Sequence, residues 1–408
     1  LLVLRDHDDF CVVSGSIRVP LLQDGERPFK DAGGAIALDA AGKPITQRSE
    51  SIRFAVTVPK KPMPRDGYPL LFYSAGQGGA YTQVVDRGTF AEQDQNKLGT
   101  GPARYLAASG VAAISIEAPL VGPRHPSADV TGLDFFNVTN PVALRDNVRQ
   151  AALDFTTLIT AARALRIPPA LCSEASTSDG GQFKFDAEQF YFHGHSTGAT
   201  VGALVLGLEP DLRAGVLSGF GGSWLYNLTI KEQPLDFNNL VRLLLGYKSG
   251  DKPDLFDPAL NLAQTLWEPA EPINWAARWA IDPRAGGRPR HLLIIEGVID
   301  GYFPPPAVNA AALAARAEPL LPTVESTMLD DVALVGGRGL SAPAGNNLQT
   351  ETRKVSSVVA QHEAPAGIDG HYVPFEVVAA KHQYRCFVQS GGERVPAGDA
   401  NDALAACP

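Results

Sequence analysis

The sequence predicts an α/β architecture: a mostly parallel, doubly wound central sheet flanked by helices. Two observations carry this. Short apolar strands alternate with helical segments through most of the 408 residues, the pattern of strands buried on both faces and joined by crossover helices. A glycine-flanked serine also sits between a strand and a helix, where a sheet enzyme presents its chemistry.

Residues 1–66 read as a β-rich N-terminal extension. Residues 52–58 alternate like a strand, and 60–67 form a Pro-rich connection. The texture changes near Tyr68. Residues 69–74 are a short apolar strand, followed by the loop Gly76-Gln77-Gly78-Gly79. Residues 111–116 are another apolar strand. Residues 145–166 form an amphipathic helix, with Leu153, Leu158, Ala162 and Leu165 near helical spacing, and Pro168 and Pro169 stop it. Strands follow at 190–193, 214–218, 291–296 and 355–361, with helices at 198–207, 306–317 and 374–388. The stretch 222–280 breaks the rhythm. It holds all four tryptophans, Trp224, Trp267, Trp275 and Trp279, and the apolar run 240–245. It reads as a lid or cap insertion over the sheet's C-terminal edge, with ordinary core packing as the alternative. Residues 67–408 are then one catalytic domain.

Composition bounds the function. Hydrophobic residues make up 45% and charged residues 19%, enough for a sizeable core and too apolar for a disordered chain. A net charge of −9 lacks the basic footprint of a nucleic-acid binder. No apolar run reaches the ~18 residues that span a bilayer. Cys11, Cys172, Cys386 and Cys407 form no CxxC pair. They allow two disulfides in three connectivities and suit an oxidising compartment. The chain begins Leu1-Leu2-Val3 without Met. A secreted, periplasmic or cell-surface protein whose signal peptide has been removed is therefore expected.

The central motif is Gly194-His195-Ser196-Thr197-Gly198. A sharp strand-to-helix turn exposes the Ser196 hydroxyl, requires small neighbours, and aims helix N–H groups at a developing oxyanion. With twenty serines and 40 glycines, chance supplies about 0.2 such patterns, so the flanking strand and helix carry the signal. Acid and base should follow in the order Ser, Asp/Glu, His. Asp300 lies just past the strand 291–296, with Asp330 and Asp331 as rivals further on. Asp134 and Glu117 precede the serine. His371 sits at a loop tip between the last strand and the last helix. His362 at the strand end and His382 in mid-helix read as structural or surface residues, and His193 and His195 flank the turn too closely to serve as base. The oxyanion donors expected are the backbone N–H of Thr197 and one from Gln77 or Gly78.

Together these residues resemble an α/β-hydrolase of the bacterial secreted lipase/esterase kind. The resemblance spans roughly 68–390 and rests on the Gly-Gln-Gly-Gly loop, Arg145-Asp146-Asn147, Gly194 to Gly198, Asp300 and Asp369-Gly370-His371. It implies Ser196 as nucleophile, His371 as base and Asp300 as orienting acid, with no cofactor or metal. Ser74-Ala75 stands where the family usually has a His before the oxyanion glycines. The expected activity is hydrolysis of a small-molecule or lipid-like carboxylic ester. Peptide or amide hydrolysis by the same triad, or a non-catalytic binding protein of this fold, are the alternatives.

Overall fold

The computed structural model describes residues 1–90, 97–178, 180–234, 236–248 and 250–408. Leu235 and Ser249 of the predicted insertion lie outside them. The chain opens with β1 (Leu2–Asp6), β2 (Phe10–Leu21), β3 (Arg48–Pro59) and β4 (Tyr68–Ser74). Helices α1 (Gln83–Asp86) and α2 (Pro102–Ala107), β5 (Ala112–Ile116) and the long α3 (Pro141–Ala164) follow. Then come β6 (Phe185–His195), α4 (Thr197–Leu208) and β7 (Leu212–Ser218). Four helices, α5 (Trp224–Ile230), α6 (Phe237–Leu245), α7 (Pro258–Trp267) and α8 (Pro272–Ala280), separate β7 from β8 (His291–Val298). The remainder is α9 (Pro305–Ala314), β9 (Glu318–Pro319), α10 (Thr327–Ala333), β10 (Leu348–Gln349), β11 (Lys354–Val355), β12 (Ser357–Glu363), α11 (Val373–Glu376) and α12 (Val378–Gln389).

Ten strands form one sheet in the order β1-β2-β3-β5-β4-β6-β7-β8-β12-β9. From β5 to β9 all pairings are parallel, whereas β1 to β3 join by antiparallel ladders, β3 pairing with β5. The β-rich residues 1–66 thus form one edge of the central sheet. Their attachment is also polar. Asp146 accepts the Ile36 N–H at 2.8 Å, and Asn147 accepts from Gln23 at 2.8 Å. Cys11 in β2 is bonded to Cys172, and Cys386 in α12 to Cys407.

Both faces of the sheet are covered, so its strands are apolar on both sides. Leu70 and Phe72 of β4 join the core under α3, α4, α8 and α9. Leu71 and Tyr73, one residue along, join the core under α2 and α12. No described helix is long and apolar enough to cross a membrane.

Two elements differ from the sequence expectation. The predicted helix 374–388 is interrupted at Val377, which is extended (φ −94°, ψ 121°). Glu376, ending α11, accepts the Phe90 N–H at 2.5 Å. The predicted strand 355–361 begins two residues later, because Lys354–Val355 pairs with β10 instead. The strand also runs on to Glu363, so His362 lies inside β12, opposite Gly297 of β8.

Candidate functional site

Ser196 is the residue between β6 and α4. Its backbone is at φ 57°, ψ −126°, a region that costs a non-glycine residue of order 1–3 kcal/mol. The turn is held by its neighbours. A Cβ at Gly194 would lie 2.3 Å from Gly198 O, and one at Gly198 would lie 2.1 Å from Ser74 O. Only glycine fits either place. Apolar residues then bury α4 along nearly its whole length, fixing its N-terminus beneath the serine.

Asp300 follows β8 after Ile299, which itself has φ 64°. Its Oδ1 accepts the N–H groups of Tyr302 and Phe303 at 2.7 and 2.8 Å. Its Oδ2 lies 3.0 Å from His371 Nδ1. Both side chains are buried. The loop carrying His371 is set by Asp369, which accepts the His371 N–H at 2.8 Å and also the Gly301 N–H. Burial, the largest influence, raises the Asp369 carboxyl above its ordinary value. Glycines let the two loops meet: a Cβ at Gly297 would lie 1.8 Å from Gly370 O. The His371 ring stacks on Tyr302 at 4.4 Å.

Ser196 and His371 line one cavity of about 480 Å³, together with Thr197, Gly76 and Gln77. Among the described residues no hydrogen bond joins the serine hydroxyl to the imidazole. Neither the Thr197 nor the Gln77 backbone N–H donates to another described group. Gly76, named in the sequence only as part of its loop, lies against the serine. A Cβ there would be 3.1 Å from Ser196 Cβ. Gly78 is outside the cavity lining and packs on the 130–131 loop, where a Cβ would lie 2.7 Å from Thr131 O.

The rival residues other than Asp330 are engaged elsewhere. Asp331 accepts from Asn309 at 2.7 Å, Asp134 pairs with Lys30 and His125, and Glu117 pairs with Arg53. His362 contacts Gln383 Oε1 at 2.8 Å, and burial lowers it to about 4. His382 contacts Ala406 O. His193 and His195 share the Ser218 hydroxyl at 3.1 and 3.2 Å. Burial lowers His193 to about 3, and burial and then the nearby His371 depress His195 strongly. Among the described residues, metal-type donors gather only at His382, Cys386 and Cys407, where both sulfurs are spent in the disulfide.

The segment 222–280 divides in two. Trp224, Phe237, Leu240, Leu244 and Trp267 wall the cavity. Trp279 instead is fully buried and donates to Ala203 O at 2.8 Å, and Trp275 packs against Gly207, both fastening α8 to α4. Two cations also line the cavity, Arg87 and Lys231. Burial lowers the Lys231 ammonium to about 8, opposed by the Asp300 carboxylate. No local sequence signal marks either residue, since each reaches the site only through the fold.

No protein-family model and no curated protein matches the chain. Among solved structures it is similar to a CE15 glucuronoyl esterase from Teredinibacter turnerae, at 14% identity and a TM-score of 0.46, over 95% of this chain and 76% of that one. An acetyl xylan esterase from Paenibacillus sp. R4 aligns at 13% identity and a TM-score of 0.42, over 83% of this chain and 79% of that one. The Pyrococcus horikoshii acylaminoacyl peptidase aligns at 12% and 0.42, over 88% of this chain but only 42% of the peptidase. With β4 and β5 exchanged in the sheet order and a strained serine turn leading from β6 into α4, the chain is an α/β-hydrolase in fold.

Proposed function

We propose that the protein is a serine hydrolase that cleaves carboxylic esters through an acyl-enzyme. The observation that carries this reading is the buried Asp300–His371 contact at 3.0 Å, opening on the same cavity as the strained Ser196. His371 takes the Ser196 proton as Oγ attacks the ester carbonyl carbon. The carbonyl oxygen gains negative charge and receives the Thr197 and Gln77 N–H groups. The C–O bond then breaks, and the imidazolium returns its proton to the departing alcohol. Water, deprotonated by His371, hydrolyses the acyl-enzyme and frees the carboxylic acid. Asp300 holds the imidazole with Nδ1 protonated, leaving Nε2 as the base.

The aromatic and aliphatic walls from α5, α6 and α7 support an apolar acyl pocket under a lid formed within 222–280. The two disulfides support a location outside the reducing cytosol. Labelling with a fluorophosphonate probe, beside a 4-nitrophenyl ester length series, tests the reading. Wild type should label and turn over, and Ser196→Ala should do neither. Wild type that hydrolyses chromogenic peptides faster than esters would favour a peptidase. Wild type that neither labels nor turns over any substrate would leave only a binding protein.

A further inference from the structure

Among the described residues, Lys231 is a cavity cation with no ion-pair partner. The segment that carries it hangs from the acid loop, because Gly301 O accepts both the Glu232 and Gln233 N–H groups at 3.1 and 3.0 Å. Its Nζ lies 5.0 Å from the Phe303 ring centre, 5.2 Å from Phe237 and 5.9 Å from Tyr302. Ring faces attract an ammonium but accept no conventional hydrogen bond. Among the described residues no carboxylate lies within ion-pair distance of Nζ, and no oxygen accepts its protons. Asp300 acts on it only through space. Both Asp300 oxygens are committed, one to His371 and one to the Tyr302 and Phe303 N–H groups.

A second cation lines the same cavity. Arg87 lines it as well, its guanidinium lying 4.4 Å over Phe90 and 4.6 Å over Phe375, and among the described residues no Asp or Glu lines it. The chain as a whole carries a net charge of −9, so two cations at one cavity do not follow from composition. An ammonium among apolar walls loses hydration that a fixed anion can replace, and opposite charges attract more strongly there than in water.

We propose that Lys231 is a specificity-determining residue that binds a free carboxylate on the ester substrate, so that the preferred substrate is an apolar ester bearing one negative charge. This rests on the ester-hydrolase reading above. It excludes uncharged long-chain esters as the best substrates, although the walls alone would accept them.

The test compares two matched ester pairs on wild type, Lys231→Met and Lys231→Arg. One pair places the carboxylate on the acyl side: the mono-4-nitrophenyl ester of octanedioic acid against 4-nitrophenyl octanoate. The other places it on the alcohol side: 4-acetoxybenzoate against phenyl acetate. For at least one pair, the charged-to-neutral ratio of kcat/KM should fall about tenfold or more in Lys231→Met, the loss of one charge-assisted hydrogen bond. Lys231→Arg should largely keep it. Thermal melting of each variant confirms the fold. Calorimetric binding of octanedioate against octanoate to wild type gives a second readout independent of any variant, with the dianion expected to bind more tightly. An unchanged ratio for both pairs in folded Lys231→Met overturns the proposal. Failure of the hydrolase reading looks different: wild type would cleave none of the four esters and take no fluorophosphonate label, while the two acids would still bind with different affinity.

Discussion

Replacing Gly297 by Ala tests how the proposed acid and base are brought together. A Cβ there would lie 1.8 Å from Gly370 O. Ordinary contact begins at 3.4 Å, so the loops must part by 3.4 − 1.8, about 1.6 Å. The His371–Asp300 contact is 3.0 Å. If the separation falls along that line it opens to about 4.6 Å, beyond hydrogen bonding. The imidazole then loses the partner that fixes its tautomer. Misplacement of a catalytic group by about 1 Å can cost around 10²-fold, close to 2.7 kcal/mol of barrier. We expect kcat on a 4-nitrophenyl ester to fall about 10²-fold with KM within a few-fold, because the apolar cavity walls lie on α5 to α7. Overpacking should also cost about 1–3 kcal/mol of stability, read by chemical denaturation. A folded Gly297→Ala protein with wild-type kcat would refute this account of the site.

Two further outcomes follow from the structure. Glu271 is fully buried and holds the Trp224 N–H and the Gln264 amide, each at 2.8 Å. Burial raises it from 4.5 to about 8. A raised carboxyl contributes stability in full below the unfolded value, and this is lost as pH rises toward about 8, on the order of 1.4 kcal/mol per pH unit. Glu271→Gln removes that titration, so its melting temperature relative to wild type should climb between pH 5 and pH 8; a constant difference would count against the buried acid. The disulfides enclose 161 and 21 residues. Loop-closure entropy then predicts about 5 kcal/mol lost on removing Cys11–Cys172 and about 3 kcal/mol for Cys386–Cys407. Denaturation of the paired Cys→Ala variants should rank them in that order, and the reverse order would show that native contacts rather than chain entropy decide.

Much of the site could be read because its residues carry local signals. The elbow serine needs glycines on both sides, and those glycines stand in the sequence. Asp300 and His371 each follow an apolar strand, and strand ends in a parallel sheet converge at one edge. The strands β1 and β2 are harder to see, since β1 is an exposed edge strand and β2 carries polar residues (Ser14, Ser16, Arg18) among its apolar ones. Nothing in the loop's composition says which glycine turns toward Ser196, so the sequence alone does not single out Gly76.

By itself, then, the sequence determined the alternation of strands and helices, the strained serine turn and the chain order of Ser196, Asp300 and His371. These depend on local sterics and on periodicity, which any short window displays. Only the tertiary structure decided that residues 1–66 complete the central sheet through β3 and β5, and that Cys11 pairs with Cys172. It also divided the tryptophans, Trp224 and Trp267 facing the cavity and Trp279 the core. It placed Lys231 and Arg87 in that cavity, with no carboxylate among its described lining residues. Such facts are contacts between segments distant in sequence, fixed by how the elements pack, and a single chain read in order does not contain them.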